Sequence, residues 1–188
     1  MIWHKKIERG SFAAAPALID DMLVVVSERG RMLALQQSDG SQIWEFKSRG
    51  KLIGSVNSYV RKDGQRSVFA VSWDNNVYAL RSDTGEQLWS YATENKLNAT
   101  PAVVDANLVI GGCDGFVRVL DAEAGTELAS VDAGSYIAAA LAVEWPRVYV
   151  GHHEGKLLCI EPFKEKIQWA YHKREEPFVS APALAPSA

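Results

Sequence analysis

The residues most able to do chemistry sit in short polar stretches. His152 and His153 in "HHEG" (152–155) are the first, because imidazoles bind metals and move protons near neutral pH. Neighbours on an extended chain point to opposite faces, so the pair is not expected to share one metal ion, and a polar turn is the expected role. Cys113 and Cys159 lack the C-x-x-C spacing of a redox or zinc site and stand at different strand positions, so both are expected as free thiols. Trp73 in "SWDN" (72–75) has the amphipathic ring of a binding platform, although an aromatic at a strand end commonly packs inward.

These stretches are placed by a repeat. "GRMLALQQSDGSQIW" (30–44), "NNVYALRSDTGEQLW" (75–89), "GFVRVLDAEAGTELA" (115–129) and "GKLLCIEPFKEKIQW" (155–169) align on their last residue, and those ends lie 45, 40 and 40 residues apart. A period in the forties suits either a four-stranded propeller blade or a helical repeat. Each unit holds four short segments rich in β-branched and aromatic residues, separated by Gly, Asp or Asn; in the first unit they are 12–18, 22–28, 31–37 and 41–47. None is long enough for a capped two-turn helix, so strands are expected.

Turn chemistry agrees. Gly30, Asn75, Gly115 and Gly155 share one position, where a two-residue hairpin turn with φ > 0 is expected. Gly40, Gly85 and Gly125 share another, where Glu165 breaks the pattern and predicts a looser turn. Ten residues before each closing position stand Ala34, Ala79, Val119 and Cys159. A small residue beside an indole leaves room for it to lie flat, so Ala34 and Ala79 with Trp44, Trp89 and Trp169 form a docking device between sheets. Ala129 interrupts it, and packing is expected to be poorest there.

The sequence therefore predicts an all-β propeller of four-stranded antiparallel blades over 12–47, 53–92, 98–132 and 137–172. Lone terminal strands are expected at 2–7 and 178–186, a single partial propeller over 1–188. Such a chain is expected to be an open arc cut from a longer ring, able to self-associate through its terminal blades. The turns after the second and fourth strands of each blade share one loop-rich face. That face gathers the candidate binding residues Arg49, Trp73, Asp74, Asp114, His153 and Glu154, with "KREE" (173–176) among its linkers. Trp145, in "EWP", belongs to the opposite face with Asp20, Asp21 and Asn107.

At 188 residues, 47% hydrophobic and with net charge −3, the chain can bury a core and does not have the basic surface of a nucleic-acid binder. The longest apolar run, "YIAAALAV" (136–143), is too short to span a membrane, and no signal-peptide pattern opens the chain.

In "ALRSDTGEQLW" (79–89), "VLDAEAGTELA" (119–129) and "TPAVVDANLVIGGCDG" (100–115) the sequence resembles the tryptophan-docking repeat of PQQ-type propellers, with Arg81 where the family usually has Asp and Asp121 retaining it. That family spans quinoprotein dehydrogenases, the lipoprotein of the outer-membrane β-barrel assembly machinery, and propellers attached to kinases and other enzymes. The resemblance implies a periplasmic or otherwise extracytoplasmic setting. Enzymes of the family carry an adjacent Cys-Cys ring and calcium ligands around the quinone, and this sequence has no Cys-Cys pair. The resemblance thus implies a non-catalytic scaffold with a protein partner, no catalytic residue, no metal site and no cofactor. PQQ with calcium enters only under the alternative of a dehydrogenase fragment, and a sensor or spacer role beside another enzyme is the third reading.

Overall fold

A computed structural model describes residues 3–7, 10–12, 14–172 and 176–184. Among these residues sixteen strands form four antiparallel sheets, each a simple meander of four. The first sheet holds β1 (Ala17–Ile19), β2 (Met22–Val26), β3 (Arg31–Gln36) and β4 (Gln42–Lys47). The second holds β5 (Asn57–Val60), β6 (Arg66–Val71), β7 (Asn76–Arg81) and β8 (Gln87–Ala92). The third holds β9 (Ala102–Val104), β10 (Asn107–Gly111), β11 (Phe116–Asp121) and β12 (Glu127–Asp132). The fourth holds β13 (Ala142–Glu144), β14 (Arg147–Gly151), β15 (Lys156–Glu161) and β16 (Lys166–His172). This is the expected all-β architecture of four propeller blades in an open arrangement.

Three apolar clusters lie between consecutive blades. Val24, Val26 and Trp44 meet Val68, Ala70 and Leu80 between blades one and two. Phe69, Val71 and Ala79 meet Leu108, Ile110 and Leu120 in the next seam. Val109, Val117 and Val119 meet Val148, Leu158 and Ile160 in the third. The core is thus a series of sheet-to-sheet interfaces, each filled from two blades, and no blade buries its apolar faces alone.

Within each blade the small column does what its spacing predicts. Ala34 pairs directly with Trp44, Ala79 with Trp89, Val119 with Ala129 and Cys159 with Trp169. A register shift follows the small residue in all four blades, an extra residue on the outer strand that adds twist.

Several expectations need correction. The loop after the second strand is longer than a two-residue turn: the Gly30 N–H donates to Ser27 O while Gly30 holds φ +74°, and Gly115 and Gly155 repeat this on Gly112 and His152. This matches a turn closed by one left-handed residue, the next commonest hairpin loop. The inner strands begin later than read from sequence; β1 starts at Ala17, not Phe12, because residues 14–16 run unpaired into it through Pro16, which has no N–H for a ladder.

The terminal segments are not strands where described. Residues 3–7 and 176–184 carry no sheet pairing, and residues 2, 185 and 186 lie outside the described residues. Each segment nevertheless docks as its repeat position requires. The Phe178 N–H donates to His152 O, as those of Leu52, Leu97 and Ile137 donate to Ser27, Ser72 and Gly112.

Glu165 does not loosen its turn. It adopts φ +50° and closes a 3-10 turn over Pro162–Lys164 by donating its N–H to Pro162 O. The seam at Ala129 is filled as well: Ala129 is 8% exposed, and Trp145 packs on the same cluster while meeting Phe163 edge-on at 5.4 Å. Trp145 is therefore half-buried packing rather than a free surface indole.

Candidate functional site

The loop-rich face is held by backbone hydrogen bonds that repeat from blade to blade. The N–H groups of Glu28, Trp73, Cys113 and His153 donate to the carbonyls of Ser11, Lys51, Lys96 and Tyr136. Each turn after a second strand is thereby tied to the linker that leads into its own blade. Side chains on these loops project from a fixed frame, which is how a binding surface on loops keeps its shape.

Trp73 is the centre of the second and third blades' share of this face. Its indole N–H donates to Asn98 Oδ1 at 2.6 Å, and the ammonium groups of Lys51 and Lys96 each lie 4.8 Å from a ring centroid of Trp73. Two ammonium groups thus border a flat, half-buried ring on the surface, and Lys51 also pairs with Glu28 at 3.8 Å. Lys51 and Lys96 were not singled out by the sequence reading; their equivalent position in two consecutive repeats, one residue before Leu52 and Leu97, was the available signal.

Asp74 is committed to structure. Its carboxylate accepts the Arg49 N–H and the Tyr78 hydroxyl, both at 2.8 Å, and the Asn76 N–H at 3.2 Å. Burial opposes its ionisation, but the bonds from Tyr78, Arg49, Ser72 and Asn76 together outweigh that and hold the carboxyl below its ordinary value. Burial and the Asp74 carboxylate push the Tyr78 phenol up in return.

Asp114, the repeat equivalent of Asp74, is withdrawn from the surface. Its side chain is 5% exposed and paired at 2.7 Å with Arg118, itself 8% exposed, in the place where Tyr78 serves Asp74. A carboxylate in a buried ion pair is not available to a partner, so Asp114 belongs to the framework.

The two histidines follow β14 in its turn and differ in burial. His152 is fully buried, its Nδ1 accepts the Glu154 N–H at 3.1 Å, and its Nε2 has no partner among the described residues. Burial lowers its pKa, with Lys156 adding to the effect. His153 is exposed and stacks on Tyr136 at 4.2 Å, beside exposed Glu154. Arg49 is likewise exposed. Arg49, Trp73, His153 and Glu154 therefore remain on the surface with Lys51 and Lys96, and residues 173–175 of "KREE" lie outside the described residues.

Both cysteines are free, and burial raises both thiols above their ordinary value. Neither is a poised thiolate. Among the described residues no three His, Cys, Asp or Glu side chains converge as a metal site would need. The carboxylates on this face include Asp114 in a buried ion pair, the hydrogen-bonded Asp74, Glu28 beside Lys51, and exposed Glu94 and Glu154, and no three of them converge among the described residues, which does not fit calcium beside a quinone. The inner segments of the blades line an open, shallow crevice of about 350 Å³, mainly with small residues, among them Ala15, Gly54, Ser55, Ala99 and Ala139.

Of the tryptophan column, Trp44 is 6% exposed and donates its indole N–H to Ser82 O at 2.7 Å. Trp89 is half-buried and its indole N–H has no acceptor among the described residues. Trp169 is 45% exposed, so its expected docking is not seen among the described residues.

Comparison with known proteins agrees with this fold. The outer membrane protein assembly factor BamB of Yersinia pestis is 26% identical over 152 residues, covering 74% of this chain and 37% of that protein. A quinohemoprotein alcohol dehydrogenase of Pseudomonas putida is 26% identical over 145 residues, covering 66% of this chain and 21% of the enzyme. The chain thus spans well under half the length of these relatives. The crystal structure of BamB from Moraxella catarrhalis superposes with a TM-score of 0.73 at 17% identity, over 90% of this chain and 52% of that one. The family model described as outer membrane protein assembly factor BamB matches residues 1–115, and the chain belongs to that family of PQQ-type repeat propellers.

Proposed function

We propose that this chain is a non-catalytic protein-binding scaffold that serves outer membrane protein assembly, and that its partner docks on the loop-rich face at Arg49, Lys51, Trp73, Lys96, His153 and Glu154. The observation that carries the reading is the Lys51–Trp73–Lys96 arrangement on a backbone-tied frame, in a chain of the assembly-factor family. A large ring flanked by cations supplies contact area with little loss of side-chain freedom, which suits the centre of a protein interface. Asp74 and Asp114 support the frame rather than touch the partner. The setting is periplasmic, where outer membrane proteins pass before assembly.

Dehydrogenase chemistry is the second reading, supported by the similarity to the Pseudomonas putida enzyme. The disposition of the carboxylates counts against it, and in the proposed scaffold no cofactor takes part.

Affinity capture from detergent-solubilised outer membranes, read by mass spectrometry, tests the proposal. Enrichment of outer membrane protein assembly components by the parent chain, and its loss on Trp73→Ala, is the expected result. Equal recovery with Trp73→Ala would move the site, and quinone- and calcium-dependent dye reduction by the chain would favour the enzyme.

A further inference from the structure

Two seams between blades carry the same groove, filled in one and open in the other. By the repeat offset of 40 residues, Tyr78, Gln87 and Ser90 of blade two correspond to Arg118, Glu127 and Ser130 of blade three. Tyr78 pairs with Ser90 and Arg118 with Ser130, so the two sets stand in the same register. On the blade before each, Phe46 corresponds to Tyr91.

In the second seam a carboxylate fills this place. Glu127 accepts the Tyr91 hydroxyl from blade two and pairs with Arg118 Nε at 3.4 Å, while Arg118 also holds Asp114 at 2.7 Å. A phenol from one blade and a guanidinium from the next thus close on one acid. The third seam has Val131, Leu158, Ile167 and Ala170 at the same four positions and needs no charge there.

In the first seam the acid is missing and its setting remains. Gln87 stands where Glu127 does, and Phe46 brings no hydroxyl. An open groove of about 300 Å³ lies there, lined by Phe46, Lys47 and Arg49 from one side and Asn76, Tyr78 and Gln87 from the other. Lys47 and Arg49 occupy the repeat positions of Ala92 and Glu94, so the groove differs in sign as well as in content. Both cations are exposed, and neither forms an ion pair among the described residues. Glu45, whose charge Lys47 also feels, is held by Arg31 at 2.6 Å. Asp74 adjoins the groove, but its carboxylate is taken by the Arg49 N–H, the Tyr78 hydroxyl and the Asn76 N–H. Both walls are consecutive blades of this chain, and a flanking repeat would stack on other faces than these two.

We infer that this groove receives an acidic side chain of a partner protein, whose carboxylate takes the place that Glu127 fills in the second seam, with Lys47 and Arg49 as counter-ions. The Gln87 amide and Ser90 hydroxyl supply donors, and the Phe46 ring supports the aliphatic stem. A neutral segment leaves both cations without a partner and a basic one is repelled, so the groove selects by charge. The inference deepens the proposed scaffold role by giving the chemistry of one contact, and it rests on that reading for the partner being a protein.

NMR titration of the full chain with end-blocked peptides tests it, with circular dichroism to verify folding of each variant. Tetraglutamate at low salt is expected to shift the Lys47, Arg49 and Ser90 amides saturably, and tetraglutamine to leave them in place. Lys47→Ala combined with Arg49→Ala is expected to weaken tetraglutamate binding by roughly tenfold, as for two exposed ion pairs lost together. Gln87→Glu installs the acid of the second seam and is expected to weaken it as much, whereas Lys62→Ala on the opposite face leaves it unchanged. No saturable shift, equal shifts with tetraglutamine, or undiminished binding to Gln87→Glu would overturn the inference. Equal binding of tetraglycine with a free terminal carboxylate would overturn it too, by assigning the groove to chain ends. Affinity capture separates this from the scaffold reading. Capture lost on Trp73→Ala but intact in Gln87→Glu sinks the groove alone, and groove binding of tetraglutamate without capture of assembly components sinks the scaffold reading alone.

Discussion

Trp89 and Gly125 are fitted to each other across the seam between blades two and three: the Cβ that Gly125 lacks would stand 2.5 Å from the Trp89 indole. Trp44 with Gly85 repeats the relation. At the seam that lacks the indole, Ala129 faces a turn where Glu165 takes the glycine's place at φ +50°. Both departures from the repeat are one change, since without a ring to receive, the turn tolerates a side chain.

Truncation of the tryptophans follows their burial. Trp44→Ala is expected to cost about 3–5 kcal/mol, as for large aromatic residues removed from a core. Trp89→Ala should cost less, since the ring is half-buried and its N–H gains no bond among the described residues. Trp169→Ala should stay within about 0.5 kcal/mol, in the range of surface changes. Denaturant midpoints order the three, and a cost at Trp169 equal to that at Trp44 would contradict the scheme.

Ala129→Trp alone should destabilise, because the new ring meets the Glu165 turn. Combined with Glu165→Gly it should recover by roughly 1–3 kcal/mol relative to additivity, the size of coupling between neighbouring sites. A double-mutant cycle measures this, and strict additivity would show that the two positions do not face one another.

Asp74 gives the fold an acid limit. Its folded pKa is depressed, so the folded state binds fewer protons, and its contribution is complete above the ordinary aspartate value of about 3.9 and lost as pH falls through the folded value. Asp74→Asn should lower stability at neutral pH and flatten the stability profile in that acid range. An unchanged slope would remove Asp74 from the account.

His152 acts in a different window. Its depressed folded value means that the unfolded chain takes up the proton more readily, so stability is complete above about 6.5 and declines as pH falls from there toward the folded value. Lys156, Glu154 and His172 are the charges that act on it, and Phe178 hangs from its carbonyl. His152→Ser, the residue of the first two repeats, should abolish that decline, and hydrogen exchange at the Phe178 amide reports it. A decline that persists in His152→Ser would assign it elsewhere.

The repeat made most of this fold legible before any coordinates. The period set the blades, and the ten-residue offset gave the pairings Ala34 with Trp44 and Ala79 with Trp89 as they stand. What stayed hidden depends on contacts between repeats. Asp114 looks like any turn carboxylate until Arg118, four residues on, is seen to turn inward to meet it. Trp3 performs the docking of a fourth strand without being in one, since its bond to Gln37 and its seat on Gly40 need no ladder. On the candidate site, Arg49, Trp73, His153 and Glu154 could be placed on one face from strand order alone, but the cations over Trp73 could not, because Lys51 and Lys96 reach it from two different linkers.

The central claim is that a protein partner is bound by the loop-rich face, and surface plasmon resonance against the captured assembly partner tests it most directly. Charge reversal at Arg49, Lys96 and Glu154 is compared with reversal at Asp20 and Asp21 on the opposite face. Arg49→Glu, Lys96→Glu and Glu154→Lys are predicted to weaken binding, chiefly through slower and more salt-sensitive association, while Asp20→Lys and Asp21→Lys leave it unchanged. The reverse ranking, with the opposite face sensitive and the loop-rich face silent, would contradict the account.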